Sequence, residues 1–157
     1  MIYIAVVGGA QCSEEEYKVA YEVGTEIARH QAVLICGGGS GVMEAAAKGA
    51  AEAGGASLGI LPGEKIVQGN PFLSYAVATG LGEARNAVIA RTADLMIAVG
   101  GEYGTLSEIA LALKMGKPVI AINSWQLKPP ARLSLAPLNA ETAAEALEKG
   151  LALVGVK

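Results

Sequence analysis

The side chains best suited to chemistry are one guanidinium, Arg85, and one carboxylate, Glu108, set among three glycine-rich stretches. The stretches are Gly8-Gly9, Gly37-Gly38-Gly39-Ser40-Gly41 and Gly100-Gly101-Glu102-Tyr103-Gly104-Thr105, and each follows a short apolar run. Glycine at such a turn lets a ligand come close to the backbone. A helix that starts there aims unpaired N–H groups into the gap and favours an anion, most often a phosphate. Gly8, Gly9, Gly38, Gly39, Ser40, Gly41, Gly100, Gly101, Glu102, Tyr103, Gly104 and Thr105 are therefore the candidate ligand-binding and phosphate-binding residues. Arg85 falls in the first turn of its helix, where the dipole disfavours a cation, so a guanidinium facing an anion explains it better than plain surface exposure. Glu108 has two readings. Thr105-x-x-Glu108 has the spacing of a capping box, which would leave Glu108 a structural role only. The other reading makes it a working carboxylate.

Common nucleotide signatures fail. No lysine follows Gly41, so the Walker A pattern is absent, and Val42 stands where the dinucleotide fingerprint needs its third glycine. A mononucleotide or a sugar phosphate fits better than NAD or a nucleoside triphosphate.

The elements that must position these residues alternate along the chain. Strands are expected at Ile2–Val7, Ala32–Cys36, Ser57–Leu61, Tyr75–Thr79, Asp94–Val99 and, as the last, Pro118–Ile122. Helices are expected from Ser13 to about His30, Val42–Ala53, Ala84–Ala93, Leu106–Met115 and Ala140–Leu151. Ser13 and Glu16 form a capping box, and Val19, Val23 and Ile27 recur at four-residue spacing on one helix face. Continuous apolar strands alternating with helices indicate a parallel sheet covered on both faces. The expected fold is α/β: a single doubly wound, Rossmann-like parallel-sheet domain over residues 1–157, with helices on both faces. Pro62–Ser74 and Ser124–Asn139 read as irregular excursions, and Trp125 reads as core rather than as a stacking platform.

Composition narrows the partners. The chain has 157 residues, 52% hydrophobic and 17% charged, which excludes a disordered chain. Twelve Lys and Arg against 15 Asp and Glu give a net charge of −3, with no basic cluster, so nucleic acid is not the expected partner. Cys12, Cys36 and the lone His30 lack metal-ligand spacing, so no metal site is expected and both cysteines read as buried thiols. No apolar run reaches membrane-spanning length, and the first residues read as a strand rather than a signal peptide. A protein of the cytoplasm is the expectation. The scarcity of charge and the alanine-rich Val42–Ala53 segment suggest a homo-oligomer, a dimer or tetramer built on close-packed helices.

From Glu83 to Glu108 the chain resembles the LOG-type phosphoribohydrolases, together with their relatives among the DprA/Smf nucleotide-binding proteins and the molybdenum-cofactor carriers. Gly101, Gly104, Thr105 and Glu108 match the family's P-G-G-x-G-T-x-x-E loop, Arg85 matches the arginine of its R-K pair, and Gly41-Val42-Met43 is similar to its second glycine motif. Gly100, Glu102 and Asn86 replace the family's proline, second glycine and lysine. The resemblance implies an AMP-like nucleotide or a molybdopterin-type ligand, with no further cofactor required. It also implies that Arg85 and Glu108 carry hydrolysis of an N-glycosidic bond. Glu108 would then hold the ribose hydroxyls or support an oxocarbenium ion. The departures lie nearer the carriers, for which binding without turnover is the alternative. Glu102 is open to three readings: a solvated side chain, a barrier to bulky charged groups, or a contact for a hydroxyl-rich ligand.

Overall fold

A computed structural model describes residues 1–155; Val156 and Lys157, the end of the expected domain, lie outside the described residues. Seven parallel strands form one sheet: β1 (Tyr3–Gly8), β2 (Val33–Cys36), β3 (Ser57–Leu61), β4 (Tyr75–Ala78), β5 (Leu95–Val99), β6 (Val119–Ile122) and β7 (Leu138–Asn139). Their order is β4-β3-β2-β1-β5-β6-β7. Five α-helices accompany the sheet among the described residues: α1 (Glu14–Arg29), α2 (Val42–Glu52), α3 (Arg85–Thr92), α4 (Tyr103–Lys114) and α5 (Ala143–Leu153).

Alternation along β1 shows why two layers of helix are needed. Ile4 and Val6 face a core shared with α1, α2 and α5. Ala5 and Val7 face a second core shared with α3 and α4. All four are buried. A strand buried on both faces must be apolar at every position, as this one is.

The α1 start is the expected capping box. Ser13 Oγ accepts from Glu16 N–H at 3.1 Å, and Glu16 Oε1 accepts from Ser13 N–H at 3.1 Å. Ala20, Val23, Gly24 and Ile27 form the buried stripe of α1, and Val19 is half-buried beside it. The small residues of α2 have an explanation within the chain. A Cβ on Gly24 would lie 1.9 Å from the Ala46 carbonyl oxygen, and one on Gly49 would lie 2.0 Å from that of Tyr21. The two helices touch backbone to backbone, so the alanine-rich face of α2 is used against α1 and the sheet.

Three expectations are corrected. Pro118–Ile122 does not hold the last strand: Leu138–Asn139 pairs with β6, because the chain returns from its excursion along the open edge of the sheet. The last helix begins at Ala143, where Thr142 Oγ1 accepts from Glu145 N–H at 3.2 Å, rather than at Ala140. Most consequential for the site, α4 begins at Tyr103 rather than Leu106. Cys12 departs from its expectation in degree, being half-buried where Cys36 is fully buried.

Gly24→Ala must push α1 away from α2. We expect a loss of about 3 kcal/mol or more in urea unfolding, the upper range for overpacking.

Candidate functional site

The strand order places the site. The strands flanking the β1–β5 boundary are followed by helices on opposite faces, which leaves a crevice beyond their carboxyl ends. A cleft of about 1010 Å³ lies there. It is lined by Gly8 and Gly9 after β1, by Arg85 and Asn86 at the start of α3, and by Glu102, Tyr103, Gly104, Thr105 and Glu108 at the start of α4.

The earlier start of α4 removes the capping reading of Glu108. The residue before the helix is Glu102, and no side chain caps the first turn. Thr105 is the third residue of the helix and cannot be its cap. The first bond of the regular ladder runs from Leu106 N–H to the Glu102 carbonyl, at 3.0 Å. The amides of Tyr103, Gly104 and Thr105 precede it and are the free donors of the helix end. Gly101 makes this turn possible. Its φ is +92°, and a Cβ there would meet Thr105 Oγ1 at 2.2 Å. Thr105 is buried on the cleft side of that contact.

Glu108 lies half-buried one turn into α4. Burial pushes its carboxyl up to about 7, and the charge of Arg85 pulls it partly back. Arg85 is also half-buried, and burial lowers its pKa against the opposing pull of Glu108. The two sense each other without a direct ion pair among the described residues. Arg85 Nη1 donates instead to the carbonyls of Gly37 at 2.6 Å and Ile60 at 2.7 Å, tying the ends of β2 and β3. Arg85 Nε donates to Asn86 Oδ1 at 2.9 Å. Asn86 Nδ2 donates to Ser107 Oγ at 3.1 Å, and Ser107 Oγ–H donates to the Gly104 carbonyl at 2.7 Å. This chain of bonds fixes the start of α3 against the start of α4. Asn86 and Ser107 are the residues that sequence reasoning missed. Asn86 registered only as a departure from a motif, and nothing in the sequence announces its bond to a residue 21 positions on.

The remaining candidates divide. Gly8, Gly9, Glu102, Tyr103, Gly104 and Thr105 line the cleft with Arg85 and Glu108. Gly38, Gly39, Ser40, Gly41, Gly100 and Gly101 do not. Asn70 holds the triple-glycine loop, its N–H on the Gly38 carbonyl at 2.8 Å and its Nδ2 on that of Gly39 at 3.0 Å. Ser40 Oγ–H donates to the Ala10 carbonyl at 2.9 Å. A Cβ on Gly100 would strike the Glu16 carboxylate. Met43 of α2, against which Gly37 and Gly39 lie, lines the cleft. Trp125 is half-buried, and its Nε1–H donates to the Glu102 carbonyl at 3.0 Å. Cys36 lies buried below the site, its thiol pushed up to about 12 by burial, which keeps it an inert thiol at neutral pH. Among the described residues no group of three or more His, Cys, Asp or Glu could hold a metal ion, and no helix is long and apolar enough to cross a membrane.

A carboxyl whose folded pKa is raised binds its proton more tightly when folded, so its stabilising contribution is lost as pH climbs from about 4.5 to about 7. Glu108→Gln has no such charge to bury. We expect it to be more stable than the wild type at pH 8, by an amount on the order of 3 kcal/mol, and nearly equal to it at pH 4.5. Urea unfolding at the two pH values measures this.

Comparison with known proteins gives the family. An uncharacterized protein of Archaeoglobus fulgidus is 49% identical over 130 residues, 83% of this chain and 82% of that one. The molybdenum cofactor binding protein from Rippkaea orientalis superposes with a TM-score of 0.88 at 36% identity, covering 98% of this chain and 97% of that chain. The cytokinin riboside 5′-monophosphate phosphoribohydrolase LOG of Oryza sativa subsp. japonica is 32% identical over 112 residues, 69% of this chain but only 45% of that protein. The whole-chain match is to SLOG cluster4, over residues 1–149. The chain therefore belongs to the SLOG cluster4 family.

Proposed function

We propose that the chain binds a nucleoside 5′-monophosphate-like ligand in this cleft and hydrolyses its N-glycosidic bond. The observation that carries the reading is Glu108. It is not a helix cap, it lies half-buried in the cleft, and burial holds its carboxyl near neutrality. The 5′-phosphate is assigned to the amides of Tyr103, Gly104 and Thr105 at the positive end of α4, with the Thr105 hydroxyl beside them. The free donors of Arg85 supply the balancing charge.

In this scheme a protonated Glu108 gives its proton to the leaving base nitrogen as the C1′–N bond breaks. The base takes the bonding electron pair. Positive charge spreads over C1′ and the ring oxygen, a water oxygen bonds to C1′, and the water proton returns to Glu108. The products are the free base and ribose 5-phosphate. A carboxyl near pKa 7 is matched to that double duty at neutral pH.

A second reading has its own support. The Rippkaea orientalis protein, alike over nearly the whole of both chains, is described as binding the molybdenum cofactor. Under that reading the same cleft holds a phosphorylated pterin without turnover. Arg85, already held by two carbonyls, then orients the ligand only.

A chromatographic assay with AMP and GMP separates the two. Free base from the wild type, reduced at least about 100-fold in Glu108→Gln, supports hydrolysis. Activity is then expected to hold on the acid side and fall as pH rises through about 7, where Glu108 loses its proton. No free base, together with thermal stabilisation by a nucleotide or a phosphorylated pterin, supports the carrier. No base and no stabilisation overturns both.

A further inference from the structure

The charge lining the cleft is not what a phosphate alone requires. Glu83, Glu102 and Glu108 line it, with Arg85 as the opposing cation. A phosphate accounts for Arg85 and the end of α4. Glu108 is accounted for above. Nothing so far accounts for Glu102, an exposed carboxylate at the helix start with no hydrogen bond to its side chain among the described residues. Next to a bound phosphate it repels, unless the ligand also brings hydrogen-bond donors to it.

Its neighbour shows what kind of ligand does so. Tyr103 lines the same cleft and is 79% exposed, an unusual degree for a ring next to a binding site. Trp125 packs beside that ring, with ring centroids 5.7 Å apart and planes tilted by 38°. The Trp125 Nε1–H bond to the Glu102 carbonyl holds the backbone between them. An aromatic ring steadied by a neighbouring ring and largely exposed beside a cleft is a platform for a flat ring. A carboxylate one residue away, with its backbone held by the same tryptophan, is placed at the edge of whatever ring rests there.

We propose that Glu102 and Tyr103 select a fused heteroaromatic ring with a 2-amino-4-oxopyrimidine edge, the edge shared by guanine and the pterins. That edge presents an amino group and a ring N–H side by side, two donors that a carboxylate accepts together in charge-assisted bonds. Adenine offers no such pair. Tyr103 carries the ring by stacking, and Glu102 reads its edge. This inference rests on the proposed binding of a phosphorylated ligand in the cleft and names the ring that ligand carries.

Calorimetric titration with GMP, IMP, AMP, ribose 5-phosphate and a phosphorylated pterin tests it. GMP and IMP differ only in the 2-amino group. Glu108→Gln serves as the background, so that turnover does not deplete the ligand. The expectation is that GMP, the pterin or both bind at least about tenfold more tightly than IMP and AMP, a difference in scale with one charge-assisted hydrogen bond. A preference shown by only one of the two identifies the source of the ring. Adding Glu102→Gln levels the preference, while adding Glu83→Gln leaves it in place. Adding Tyr103→Ala weakens every ring-bearing ligand and spares ribose 5-phosphate. Trp125 is the single tryptophan, so its emission in the Tyr103-containing protein reports a ring arriving beside it. All three positions are exposed, and thermal unfolding confirms that the variants fold.

Equal affinity for GMP, the phosphorylated pterin, IMP and AMP overturns the inference and leaves the proposed function standing. So does a preference that survives Glu102→Gln or is lost with Glu83→Gln. Failure of every phosphorylated compound to bind overturns the proposed function itself, and this inference with it.

Discussion

A parallel sheet allows one hand of crossover, and that constraint governs everything at this site. From β1 the chain moves outward through β2 and β3 to β4, with α1 and α2 on one face. It must then return to the middle of the sheet to place β5 on the other side of β1. After that, α4 lies on the opposite face. The loops after β1 and β5 therefore leave in opposite directions, and neither closes the gap between them. The cleft is the space that the topology cannot fill.

Local chemistry then decides what the space can hold. The glycine turn after β5 starts α4 early, at Tyr103, so three amides and Thr105 face the cleft, and Glu108 is placed a turn deeper. Arg85 arrives from α3 and is held by carbonyls at the ends of two strands. A guanidinium fixed in this way keeps its position without a carboxylate partner. Glu108 consequently feels a nearby positive charge but is not neutralised by a close ion pair, and burial wins over attraction in setting its proton affinity. A tight pair would have locked Glu108 as a permanent anion. The looser arrangement leaves it able to take up and release a proton near neutral pH.

The family tie fits a scaffold of this kind, because one fold can carry different chemistry through a few loop positions. Glu102 and Asn86 are two of those positions. Each differs from the loop pattern that the sequence resembles, and each has a definite place in the structure. Asn86 links Arg85 to Ser107 of α4, tying the start of one helix to the other. Glu102 brings a carboxylate to the rim beside an open aromatic face.

The sequence by itself determined the alternation of strands and helices, the parallel sheet and the capped start of α1. These follow from local signals: apolar runs buried on both faces, glycines at strand ends, and a Ser-x-x-Glu cap. Arg85 stood out as a cation at a helix start, and Glu108 was joined to it by the resemblance of its loop to the LOG-type pattern. The ambiguity at Glu108 was not resolvable there, since Thr105-x-x-Glu108 is the same string whether the helix begins before it or inside it. Only the packing of Gly101 against Thr105 set that boundary. The same holds for α2. Its alanines suggest a close-packed interface, but only the folded chain shows that α1 occupies that face. The triple-glycine loop reads as a ligand cradle in sequence, and only the folded chain shows that Asn70, about thirty residues away, holds the loop by two of its carbonyls. Periodicity and caps are set by neighbours within a few residues, so sequence carries them. Which surface a glycine or an alanine meets is set by residues distant along the chain, so tertiary structure alone decides it.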